Sequence, residues 1–197
     1  EKLELEDKWI LSKLNSLAGE VCENLDRYEL GIAASKIYDF IWDSFCDWYI
    51  ELTKPRLQSG GAEAGESAQR VLLYILTETL KLLHPFMPFI TEEIFQAIPH
   101  DGPVIMTADY PKYSEALAFP EDETAFEMIM DAVKAVRSRR AEMNVPPSKH
   151  PRLIIAADKP DVFESGRAYF SKLAYAGDVI VGVAVPENTG GMVSVVT

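Results

Sequence analysis

Leu30–Leu52 reads LGIAASKIYDFIWDSFCDWYIEL, and its apolar side chains follow a helical rule. Leu30, Ala34, Ile37, Ile41, Phe45, Trp48 and Leu52 are spaced 4-3-4-4-3-4, the step that keeps one helix face turned to a core. Tyr38, Trp42, Cys46 and Tyr49 form a second line beside it. The spacing predicts a helix from near Glu29 to the low fifties, with Asp26 as its cap and two or more helices as neighbours. Asp39, Asp43, Asp47 and Glu51 recur every four residues on a further face. With no His or Gly-rich loop beside them, these acids read as a solvated surface rather than an acid–base or cation site.

Working outward, the same period continues. Ile10, Leu14, Leu17 and Val21, widened by Leu11, Ala18, Cys22 and Leu25, define a core-facing helix before this one. After it, Gln58–Ser67 with Gly60, Gly61 and Gly65 reads as a polar loop. A helix over about 66–84 follows, apolar nearly all round at Val71–Leu76 and therefore expected to be central. It should stop at His84-Pro85, because proline lacks an amide hydrogen and disfavours helical geometry in the residue before it. Pro88 can open a short helix with Glu92 and Glu93 in its early turns. Residues 98–120 read as an irregular connector, and 122–143 as a helix turning Phe126, Ile129, Val133 and Val136 inward.

At Pro146-Pro147 the period changes. Leu153–Ile155 and Val179–Val185 read as strands around an amphipathic helix over 160–175, and Asn188–Gly191 as a turn into a last strand, Met192–Val196. The expected architecture is mainly α: a helical bundle over 1–147, then a small α/β appendage over 148–197. The chain begins without an initiator Met and stops inside what reads as a strand, so the expectation is a piece of a longer polypeptide with a truncated appendage.

Composition narrows the function classes. With 48 % apolar residues a core is well supplied, yet no segment approaches the roughly 18 apolar residues of a membrane span. The start carries no signal-peptide pattern, and Cys22 and Cys46, in no metal spacing, read as buried thiols of a cytoplasmic protein. No phosphate-binding Gly loop, nucleophile elbow or metal-ligand motif is present, so no catalytic, cofactor or metal residue is assigned. The net charge of −12 opposes nucleic-acid binding, since phosphates must be met by local cations. Two basic groups offer them: Lys54 with Arg56, beside Leu57, and Lys134, Arg137, Arg139 and Arg140, followed by Lys149 and Arg152. Cations near a helix C-terminus also complement its dipole, so neither group alone identifies an RNA binder.

Four stretches are less anonymous. Tyr38–Glu51, continuing into Lys54-Pro55-Arg56-Leu57, closely resembles a helix of the anticodon domain of bacterial-type valyl-tRNA synthetases. Leu82–Ile94, LLHPFMPFITEEI, resembles that family's helix break, in a form shared more loosely by other class I synthetases. Val136–Pro146, VRSRRAEMNVP, and Asp7–Ser12, DKWILS, are similar too, so the likeness runs in order over about 7–147. Phe95 stands where the family usually has Trp, and Tyr110-Pro111 where it has Trp-Pro. The resemblance implies an anticodon-binding helical bundle that grips the anticodon stem-loop of tRNA for valine. It also implies a parent ligase with upstream catalytic and editing domains that uses ATP and Mg²⁺, a chain inactive by itself, and a monomer.

On that reading Lys54, Arg56 and Leu57 are expected near the bases, Arg137, Arg139 and Arg140 on the backbone, and Arg70 as a further candidate. Trp42, Trp48 and Tyr49 fit core packing better than base stacking. The competing expectation is an acidic helical protein-interaction module without RNA binding.

Overall fold

A computed structural model describes residues 3–59, 61–184 and 192–196. They form two compact units, Glu1–Glu123 and Thr124–Thr197. The change of period at Pro146-Pro147 lies inside the second.

The first unit is helical. Helix α1 (Leu5–Asp26) buries Ile10, Leu14, Leu17 and Val21, the stripe its spacing predicts, and Trp9 beside them. Its start is held by a capping box between Glu4 and Asp7. Asp26 closes α1 rather than capping the next helix; the chain turns through Tyr28 (φ 59°), and α2 (Leu30–Asp39) begins after Glu29. A π-helical segment, Phe40–Ile50, runs directly on from α2 and leads into α3 (Glu51–Ser59). The expected single α-helix is therefore interrupted, and its buried line is Ala33, Ile37, Phe40, Phe45, Tyr49 and Leu52. Leu30 is exposed, and Ile41 and Trp48 are only partly covered. A turn closed by i→i+5 hydrogen bonds holds more residues than the 3.6 of an α turn, so the inward positions drift from the 4-3-4 register.

Pro55 lies inside α3, where the sequence reading has the helix finished. Proline has no amide hydrogen to donate to the carbonyl of Glu51, its partner four residues back in an α-helix. Next to it, the hydroxyl of buried Thr53 donates to the Ile50 carbonyl at 3.0 Å. The expected Gln58–Ser67 loop is also helix for most of its length. Helix α4 (Gly61–Leu83) starts at Gly61, whose φ of 79° suits a residue without a side chain. Helix α4 packs against α1, α2, α3 and α5. It buries Val71, Ile75 and Leu82 but leaves Tyr74 exposed, so it is one-faced rather than apolar all round.

Helix α4 stops before His84-Pro85 as expected, and α5 (Pro88–Ala97) opens on Pro88. The His84 Nδ1 lies 2.7 Å from the Thr91 hydroxyl across that break. Phe95 packs with Leu80 and Ile105 in a small apolar cluster. The connector beyond α5 holds two 3₁₀ turns, Ile105–Thr107 and Glu115–Leu117. Buried Asn15 fastens it to α1, donating to the Ser114 carbonyl (2.9 Å) and accepting from its amide (2.8 Å). Tyr110 donates to the Leu82 carbonyl at 3.1 Å, and burial pushes its phenol up to about 12.

Helix α6 (Pro120–Glu142) supplies the last residues of the first unit and leads into the second. It ends at Asn144 (φ 53°), a residue type that tolerates the left-handed conformation. Strands β1 (Leu153–Ala156) and β2 (Val179–Gly182) pair in parallel, Leu153 opposite Val179, with α7 (Pro160–Ser165) and α8 (Arg167–Leu173) between them in the chain. This is the expected strand–helix–strand order, with the helix in two pieces. Gly177 is required by close approach, since a Cβ there would sit 2.4 Å from the His150 carbonyl oxygen. Met192–Val196 form no strand, contrary to expectation, and the expected turn at 188–191 lies outside the described residues.

Candidate nucleic-acid interface

The acidity of the chain is unevenly shared. Residues 1–123 carry 23 Asp and Glu against 10 Lys and Arg, whereas residues 124–197 carry 8 against 9. Each unit's cations are therefore described separately.

In the first unit the outward row of α3 is Glu51, Lys54, Leu57 and Gln58. Lys54 is exposed and its ammonium is paired with Glu51 one turn back. Exposed pairs of this kind contribute about 0–1 kcal/mol, so a phosphate can compete for the lysine. Leu57 is partly exposed beside it. Arg56 points the other way. Its Nη1 donates to Asp7 Oδ1 at 2.8 Å and lies 3.3 Å from Glu6 Oε1, and its side chain is 13 % exposed against 0 % for Asp7. The Tyr49 hydroxyl donates to the same Asp7 oxygen at 2.6 Å. Burial lowers the guanidinium's affinity for its proton, but the hydrogen bond and charge of Asp7, with Glu6 behind, outweigh that and hold it above its ordinary value. Burial, then the Asp7 charge, pushes the Tyr49 phenol well up.

Asp7 and Glu6 were not singled out from the sequence as site residues, although a signal was there. Asp7 stands at i−3, i−4 and i−7 from Ile10, Leu11 and Leu14, an acid in the register of the core stripe. Arg70 is exposed and paired with Glu66 on α4. The acids Asp39, Asp43, Asp47 and Glu51 are all exposed, as expected. Trp42, expected in the core, is 51 % exposed and lies 6.1 Å from the ring of Tyr38, itself 62 % exposed. Of the three aromatic residues weighed, Tyr49 is wholly buried and Trp48 partly.

In the second unit Arg137 is exposed and makes no hydrogen bond or ion pair with any of the described residues. Arg139 is exposed and paired with Glu142 at 2.9 Å. Arg140 is buried, donates to the carbonyls of Pro146 (3.0 Å) and Lys149 (2.8 Å), and lies 5.7 Å from the centre of the Tyr175 ring. It ties the end of α6 to the segment before β1. Both cysteines are free and half-buried, and burial raises each thiol.

Residues 7–155 match the family described as the anticodon-binding domain of tRNA ligase. The chain belongs to this family. Within it, this anticodon-binding domain is 46 % identical to a valine–tRNA ligase of Clostridium acetobutylicum over 100 % of this chain and 23 % of the relative. A valine–tRNA ligase of Clostridium tetani is 45 % identical over 97 % of this chain and 22 % of its own. One of Carboxydothermus hydrogenoformans is 50 % identical over 79 % and 18 %. The anticodon-binding domain thus spans about a fifth of the length of the curated relatives it matches. No helix among the described residues is long and apolar enough to cross a membrane.

Proposed function

We propose that this chain holds the anticodon stem-loop of tRNA for valine on behalf of a valine–tRNA ligase. The family match over residues 7–155 carries the reading. The likeness to valine–tRNA ligases over nearly the whole chain supports the choice of tRNA. Lys54 and Leu57 face outward and are suited to the loop, with Arg70 a further exposed cation. Arg137 and Arg139 lie on the unit without an acidic excess, where a ribose–phosphate backbone meets least repulsion. ATP, Mg²⁺ and the chemistry that joins valine to tRNA belong, in this reading, to other parts of a longer cytoplasmic polypeptide.

Titration of labelled anticodon stem-loops tests it. Tighter binding of the valine than of the isoleucine anticodon is expected, and equal or absent binding of the two overturns the reading. Lys54→Ala and Arg137→Ala should each make the log-salt dependence shallower by about 0.7–0.9 if each side chain meets one phosphate.

A second reading, a protein-docking module without RNA, draws on one observation. Residues 82–111 contain no Lys or Arg, and within them Met87, Phe89 (90 %), Ile90 and Ile94 are exposed. Exposed apolar side chains flanked by acids suit a protein better than a phosphate backbone. The same titration separates the two readings, because a docking module binds neither stem-loop.

A further inference from the structure

We infer that Arg56 is a positioning residue for RNA binding, one that fixes α3 to α1 through Asp7 so that Lys54, Leu57 and Gln58 are presented in a set place. The inference rests on the RNA reading above. It sharpens that reading by moving Arg56 from the contacts to the support beneath them.

Three chain segments converge on one carboxylate. Oδ1 of Asp7 accepts from the Tyr49 hydroxyl at 2.6 Å, at the end of the π segment, and from Arg56 Nη1 at 2.8 Å, on α3. Its Oδ2 accepts from the Glu4 amide at 3.0 Å, in the cap of α1. Asp7 is wholly buried and Glu6 nearly so. Turning the guanidinium out to a phosphate would take the cation away from the wholly buried Asp7 carboxylate, which desolvation opposes. Arg56 therefore stays inward, and its position decides where the opposite face of α3 points. The π segment contributes to this junction through Tyr49, which lies within it. Such π turns are rare overall and frequent at functional sites.

A phosphate contact and a support differ in measurable ways. Loss of a phosphate contact weakens all RNAs alike and makes the salt dependence shallower, whereas loss of a support misplaces the groups that read bases. The test uses this chain with valine- and isoleucine-anticodon stem-loops, titrated from low to high KCl. Arg56→Ala and Asp7→Asn should each weaken the valine stem-loop by about tenfold and narrow its advantage over the isoleucine stem-loop, and together do little more than either alone. The salt dependence of both should match the parent's, while Lys54→Ala makes it shallower.

Mere unfolding of a fraction of the protein would lower the active concentration without touching the ratio between the two RNAs. Should Asp7→Asn fail to fold, Tyr49→Phe removes one donor to the same carboxylate and should narrow the ratio to a lesser degree. A shallower salt dependence for Arg56→Ala, with an unchanged ratio and no effect of the Asp7 or Tyr49 changes, makes Arg56 a phosphate contact and overturns the inference while RNA binding stands. If the parent chain binds neither stem-loop, the RNA reading fails and the inference falls with it.

Discussion

Two tyrosines show how a single buried contact sets a pH limit. Tyr49 is pressed against the Asp7 carboxylate, and Tyr110 is covered where it donates to the Leu82 carbonyl. Both phenols hold their protons above the ordinary value near 10, Tyr110 up to about 12. Above pH 10 the unfolded chain releases protons that the folded one retains, so stability falls as pH rises through that window. Urea midpoints measured between pH 9 and 11.5 should therefore decline. Tyr110→Phe should flatten part of the decline, and an identical slope in that variant would show that the phenol is not the cause. The sequence tells part of this. Asp7 sits in the core register of α1, where an acid needs a buried partner. That the partners are Tyr49 and Arg56, 42 and 49 residues away, depends on tertiary packing, which spacing within a helix does not encode. Arg56 and Arg140 look like surface cations in the sequence because their buried partners are a distant acid and, for Arg140, backbone carbonyls.

Among the elements, the long second helix shows where periodicity succeeds and where it stops. Its existence, its inward Ile37, Phe45 and Leu52 and its exposed acidic ladder all follow from 3.6-residue spacing. The π segment does not, because two neighbouring apolar lines, one through Phe45 and Trp48 and one through Tyr38, Trp42 and Tyr49, leave the register ambiguous. Nor does the continuation of the helix through Pro55, beside which the buried Thr53 hydroxyl donates to the Ile50 carbonyl. Thr53→Val keeps the shape and removes the buried hydroxyl's hydrogen bond to the Ile50 carbonyl. The expected loss is about 0.5–1.5 kcal/mol, read from chemical denaturation, with α3 exchanging its amide hydrogens faster than α1. An unchanged stability would mean that the hydroxyl adds nothing to the backbone bonds of the helix.

At the scale of the molecule, charge presents the harder problem: an anionic chain is asked to hold RNA. The excess lies in residues 1–123, with 23 acids to 10 bases, and Asp39, Asp43 and Asp47 contribute to it from an exposed face. Charges at this range act on the encounter more than on the docked contacts, so they slow association without choosing between anticodons. Replacing the three aspartates together by Asn should therefore raise the association rate for a stem-loop several-fold in about 20 mM salt. The gain should fade towards 0.5 M, where screening shortens the reach of the field to a few ångströms. Dissociation and the ratio between valine and isoleucine anticodons should stay as they were, because on the proposed reading none of these side chains meets a base. Stopped-flow fluorescence with labelled stem-loops separates the two rates. A slower association, or a changed ratio, would place the acidic face in contact with the RNA and require the loop to sit somewhere other than the outward row of α3.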